Sequence, residues 1–205
     1  DLKILILNIN KHGSLHMSSQ YLLLESLSEF YGHPYYQSEL VNIIDGTKGI
    51  SLRSIDWFIT NYSKKNNIFY LTYERDGLPT MSEEDSVFRG NMNVHQSYKS
   101  QLKSYSKKTF DPFCRRDRIL FNMGDNEIET TIGQLNFFRW ALENLVVEYI
   151  CQNKEIIEKD MNKCLKKIKE KSQNKTGARK PREELSLSAT RGLSKTNISV
   201  EITFD

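Results

Sequence analysis

RILFNMGDNEIETTIGQLNFFRWALENLVVEY, residues 118–149, changes its periodicity in the middle. Arg118 to Met123 and Glu127 to Thr131 are short runs set around Gly124-Asp125-Asn126, and that composition predicts a hairpin. Thr131 then offers a capping hydroxyl, and Leu135, Phe138, Leu142, Leu145, Val146 and Tyr149 recur at helical spacing. The helical pattern continues, with more polar residues, to about Lys171. A hairpin running straight into a long helix predicts an α+β fold.

Upstream, Leu2 to Ile9 is apolar on both faces apart from Lys3, which suits a central strand. Ser18-Ser19 opens a helix through Tyr21, Leu22, Leu24, Leu27 and Phe30, which Gly32 and Pro34 end. A second helix is expected over Ser38–Ile44, and a third after the capping Ser51, with Leu52, Ile55, Phe58, Ile59 and Tyr62 on one face. Ile68–Tyr73 reads as a strand and Met92–Tyr105 as a helix. Downstream, Ile198-Ser199-Val200-Glu201-Ile202-Thr203-Phe204 alternates apolar with polar, the pattern of a half-buried strand.

The expected architecture is a small mixed or antiparallel sheet from Leu2–Ile9, Ile68–Tyr73, the Arg118–Thr131 hairpin and Asn197–Phe204, packed with about five helices. Its parts are a domain over 1–171 with an exposed acidic loop insertion at 76–90, a basic flexible arm over 172–196, and a strand over 197–205 that returns to a sheet.

Composition excludes some classes. With 205 residues, 11% of them aromatic, the chain can bury a sizeable core. Cys114, Cys151 and Cys164 are odd in number and widely spaced, which argues against a disulfide framework and for a reducing compartment. No stretch approaches roughly 18 apolar residues, so neither secretion nor a membrane partner is expected. His12 and His16 lack a third ligand and the cysteines lack zinc-type spacing, so no metal or other cofactor is expected. Gly46-Thr47-Lys48-Gly49 lacks the order of a phosphate-cradling loop.

The net charge is only +3, so its distribution matters more than its size. Lys163, Lys166, Lys167, Lys169, Lys171, Lys175, Arg179, Lys180, Arg182 and Arg191 face only Glu170, Glu183 and Glu184 over the same span. Such a cationic arm gains by displacing counterions from phosphates, although a solvated helix end has the same composition. A second cluster interleaves Lys99, Lys103, Lys107, Lys108, Arg115, Arg116 and Arg118 with Tyr98, Tyr105, Phe110 and Phe113. Cations hold a backbone and aromatics stack on unpaired bases, yet Tyr98 and Tyr105 also lie on the helix's apolar stripe. Glu39–Lys65 has the element order of a helix-turn-helix but few polar positions to read bases. Cys114 beside Arg115 and Arg116 is the one candidate nucleophile, and no base accompanies it.

Four phrases carry a resemblance: His12-Gly13-Ser14-Leu15-His16-Met17, Ile50-Ser51-Leu52-Arg53-Ser54-Ile55-Asp56-Trp57-Phe58, Asp111-Pro112-Phe113-Cys114-Arg115-Arg116, and Thr131-Ile132-Gly133-Gln134-Leu135-Asn136-Phe137-Phe138-Arg139-Trp140-Ala141. With them the chain resembles an uncharacterised protein family of the nucleocytoplasmic large DNA viruses of algae and amoebae. The resemblance runs over most of the chain and misses mainly Asp76–Gly90. It implies a viral protein made in the cytoplasm or nucleus of an infected cell, and it brings no functional residues with it. The expected function is non-enzymatic nucleic-acid binding, mainly to phosphates. The alternative is a virion structural or assembly protein that pairs with a viral partner, or with itself, through residues 197–205.

Overall fold

The structure, a computed structural model, describes residues 19–115, 117–123 and 126–173. The chain divides into two compact units, Asp1–Cys164 and Leu165–Asp205. The described part of the second is the end of one helix. The expected strands Leu2–Ile9 and Asn197–Phe204 lie outside the described residues, as does the arm beyond its first two positions. The fold is mixed α+β, as the sequence predicts.

The first unit opens with α1 (Ser19–Phe30) and α2 (Pro34–Ile44). Pro34, expected to stop the first helix, instead begins the second. It occupies the first helical turn, where a missing N–H costs nothing, and His33 caps it by accepting from the Tyr35 N–H at 3.3 Å. After a turn in which Gly46 and Gly49 both take positive φ, Ser51 caps α3 (Leu52–Trp57) by accepting from the Ser54 N–H at 3.0 Å. A π-helical turn, Phe58–Tyr62, and α4 (Ser63–Asn66) continue it, and Asn67 in the left-handed region ends it.

Strands β1 (Phe69–Arg75), β2 (Leu78–Thr80) and β3 (Val87–Asn93) form an antiparallel sheet in the order β2-β1-β3. Residues 76–90, expected to be a loop, therefore carry β2 and much of β3. Asp76 and Gly77, at φ 53° and 77°, make the two-residue hairpin between Arg75 and its partner Leu78. Aspartate followed by glycine suits that turn because both central residues need positive φ. Glu83, Glu84 and Asp85 are exposed in the link to β3, as expected.

Next come α5 (Val94–Tyr105), β4 (Ile119–Met123) and β5 (Asn126–Thr130). The β4–β5 hairpin is found where the sequence puts it. Among the described residues it forms a two-stranded sheet of its own rather than joining β1 and β3. The single long helix expected after Thr131 is three: α6 (Ile132–Glu143), α7 (Val146–Gln152) and α8 (Lys154–Gln173). Asparagines break it. The side chains of Asn144 and Asn153 donate to the carbonyls of Trp140 and Tyr149 at 2.8 and 2.9 Å, and Leu145 takes φ 57°.

Helix α6 is the centre of the core, with Leu135, Phe137, Phe138, Trp140, Ala141 and Leu142 buried along it. The α1 and α2 helices pack against it. The Tyr31 hydroxyl, buried with its ring, donates to the Leu135 carbonyl at 2.8 Å. Burial pushes that phenol's pKa well above its ordinary value.

Candidate nucleic-acid interface

Helix α5 is set in place from both ends. At its start Asn93 caps it, accepting from the Gln96 N–H at 3.0 Å. Its apolar stripe is held from the side by Phe110, which is 1% exposed and has Tyr98, Tyr105, Phe137 and Trp140 around its ring at 5.3–6.3 Å. Past its C-terminus, α6 fixes the chain. The Asn136 amide donates to the Thr109 carbonyl at 2.9 Å, the Asp111 N–H to the Gly133 carbonyl at 3.1 Å, and the Gln134 amide to the Pro112 carbonyl at 2.9 Å. The turn that carries Lys107 and Lys108 is thus anchored to the core.

The cations of this cluster fall into two groups. Lys99, Lys103, Lys107 and Lys108 are exposed, and none makes an ion pair among the described residues. Lys99 and Lys103 are four apart on α5 and so share a face, about 6 Å apart along the axis. Arg115 and Arg118 are exposed but paired. Arg115 takes both Asp111 carboxylate oxygens, at 3.1 and 2.8 Å, and Arg118 takes Glu129 at 2.9 Å. Arg116 lies outside the described residues.

The aromatics of the cluster do not form an open platform. Tyr98 and Tyr105 lean on Phe110, and burial raises the Tyr98 pKa. Phe113 is half-buried beneath the Arg115 guanidinium, 4.5 Å from its ring centre. Besides Asp111 and Glu129, a further carboxyl sits beside the cluster. Asp56 on α3 is half-buried, and its pKa is raised by burial against the opposing pull of Arg115 and Lys107. A signal the cluster's basic residues do not themselves give is the absence of acids: from Ser86 to Phe110 there is no Asp or Glu at all.

In the second unit, Lys166, Lys167 and Lys169 are exposed near the end of α8, and Lys171 follows on the same helix. Lys175, Arg179, Lys180 and Arg182 lie outside the described residues.

The remaining candidates of the sequence are structural where described. In the helix pair spanning 39–65, Leu40, Ile43, Ile55, Phe58 and Ile59 are buried, while Lys48 pairs with Glu39 at 2.7 Å and Lys65 with Asp160 at 2.5 Å. This leaves a core helix pair rather than a reading head. Cys114 is a half-buried free thiol, and Asp111 occupies the neighbouring Arg115 charge. No group of three metal-ligating side chains occurs among the described residues, and none of their helices is long and apolar enough to cross a membrane.

The model of a family of unknown function, DUF7197, matches residues 7–203. Uncharacterized protein L507 of Acanthamoeba polyphaga mimivirus is 41% identical over 145 residues, which cover 68% of this chain and 52% of the relative. The chain therefore spans about half the length of the curated relative it matches. No solved structure matches the chain. The resemblance read from the four phrases is thereby borne out: the chain belongs to an uncharacterised giant-virus family, DUF7197.

Proposed function

We propose that the protein is a non-enzymatic viral nucleic-acid-binding protein that grips the phosphate backbone. One observation carries the reading. Lys99, Lys103, Lys107 and Lys108 stand exposed and without ion pairs among the described residues, on a stretch devoid of carboxylates, Ser86–Phe110. Exposed lysines without carboxylate partners can neutralise phosphates directly, and binding then gains by releasing the counterions condensed on the polyanion. The basic composition of 163–191 supports the same reading from the sequence. Arg115 and Arg118 contribute less, because a phosphate must first compete with Asp111 and Glu129.

The test is fluorescence anisotropy with a labelled oligonucleotide at several salt concentrations. Log affinity should fall linearly with log salt, and Lys99→Ala and Lys103→Ala should each lessen the slope by about 1. Absence of binding at low salt removes the proposal.

A second reading, virion assembly, draws on a different feature. Phe69, Leu71, Val87 and Phe88 are exposed at 64, 44, 73 and 57% on a sheet whose β3 edge is unpaired among the described residues. An open edge beside apolar side chains invites strand addition from another subunit, and 197–205 has the alternation such a strand needs. Light scattering with and without Asn197–Asp205 decides it: a monomer in both cases ends this reading.

A further inference from the structure

We infer that the polyanion is a double helix, held through its phosphates with no reading of bases. This rests on the phosphate-binding reading above and goes further by choosing between paired and unpaired strands.

Proteins that hold single strands combine a cationic track with exposed aromatic rings on which successive bases stack. Among the described residues of this cluster the track is present and open rings are not. Phe110 is buried, Tyr98 and Tyr105 are packed against it, and Phe113 lies under Arg115. The serine hydroxyls of this helix are also engaged. Ser100 donates to the Gln96 carbonyl at 3.1 Å and Ser104 to the Ser100 carbonyl at 3.2 Å. Hydroxyls bonded to their own helix leave little to aim at a base edge.

What remains is a set of exposed lysine charges on an anchored backbone. Such charges favour the ligand of higher charge density. A duplex carries about one charge per 1.7 Å of axis, twice that of one strand, and releases more counterions per phosphate contacted. Among the described residues the exposed rings elsewhere, Phe69 and Phe88, do not supply such a platform. Their sheet carries Glu74, Asp76, Glu83, Glu84 and Asp85 at one end, and these repel a phosphate backbone.

The experiment uses the full chain, a labelled duplex of about two helical turns and its isolated strand, in parallel at two salt concentrations. The expected result is duplex binding tighter by about tenfold, with a steeper salt slope, and equal affinity for duplexes of scrambled sequence. A strand bound as tightly as the duplex overturns the inference and leaves phosphate binding standing. So does single-strand affinity that drops in Phe88→Ala or Tyr105→Leu, which would reveal stacking. Failure to bind either ligand, with the protein folded by circular dichroism, removes the underlying reading instead.

Discussion

Gly133 shows how one missing methyl group positions a surface. A Cβ at this site would lie 3.2 Å from the Lys108 carbonyl oxygen and 3.4 Å from the Phe110 nitrogen. Both are backbone atoms of the anchored turn, so neither can swing aside. Gly133→Ala gains at most about 1 kcal/mol in helix propensity. Against that, crowding of a packed backbone costs about 1–3 kcal/mol. The crowding wins, and the variant should unfold at lower denaturant concentration. The same displacement moves Lys107 and Lys108, so polyanion affinity should fall in step. Gln134, one residue on, is buried between the Thr130 hydroxyl, which donates to it at 2.9 Å, and the Pro112 carbonyl. These contacts are invisible in the sequence, where Gly133 looks like a weak point in a helix and Gln134 like a surface residue.

Between elements, the junction of α3 with the α5–α6 region turns on Asp56. Its pKa is raised chiefly by burial, with Arg115 and Lys107 partly offsetting and Asp111 reinforcing. A carboxyl whose folded pKa exceeds its unfolded one penalises the folded state once it ionises. The penalty is absent below the unfolded pKa, near 4, and complete above the folded one. Asp56→Asn should therefore stabilise the protein at neutral pH, with the advantage disappearing as pH falls through the carboxylate range. Urea titrations at pH 7 and pH 3.5 measure it. A variant equally or less stable at pH 7 would refute the assignment. Losing this charge should also tighten polyanion binding, since it faces Lys107 and Arg115.

Element type was legible where capping and period agreed. Ser51 and Thr131 start their helices as read, with Thr131 accepting from the Gln134 N–H at 3.1 Å. The β4–β5 hairpin was equally clear. The misreadings share a cause, the weighing of residue type over local geometry. Pro34 reads as a stop because proline breaks helices, but in a first turn it starts one. Acidic composition hid the Asp76-Gly77 hairpin. Asn144 sits within an unbroken apolar rhythm and Asn153 within a continuing, more polar helical one, so the period does not betray the two breaks. For the candidate interface, the lysines were evident by charge. The apolar stripe already pointed Tyr98 and Tyr105 inward; what the period does not show is Phe110, the ring they pack on, which arrives from a segment without periodicity.

At the scale of the molecule, strand β3 is a spacer. It enters beside Glu83, Glu84 and Asp85 and delivers the chain into α5, so about 20 Å of extended backbone separates the two signs of charge. The ionic atmosphere decides whether they sense each other. Near 0.15 M salt the Debye length is about 8 Å, and the acids are hidden from anything bound at the lysines. Near 0.01 M it reaches about 30 Å, and the acids begin to push the ligand away. Affinity for a polyanion should then stop climbing as salt is diluted, bending the log–log plot at its dilute end. Replacing Glu83, Glu84 and Asp85 with glutamine or asparagine should straighten it. On the proposed phosphate-binding reading, the acidic link between β2 and β3 sets a ceiling on affinity in dilute buffer while leaving affinity at cellular ionic strength unchanged.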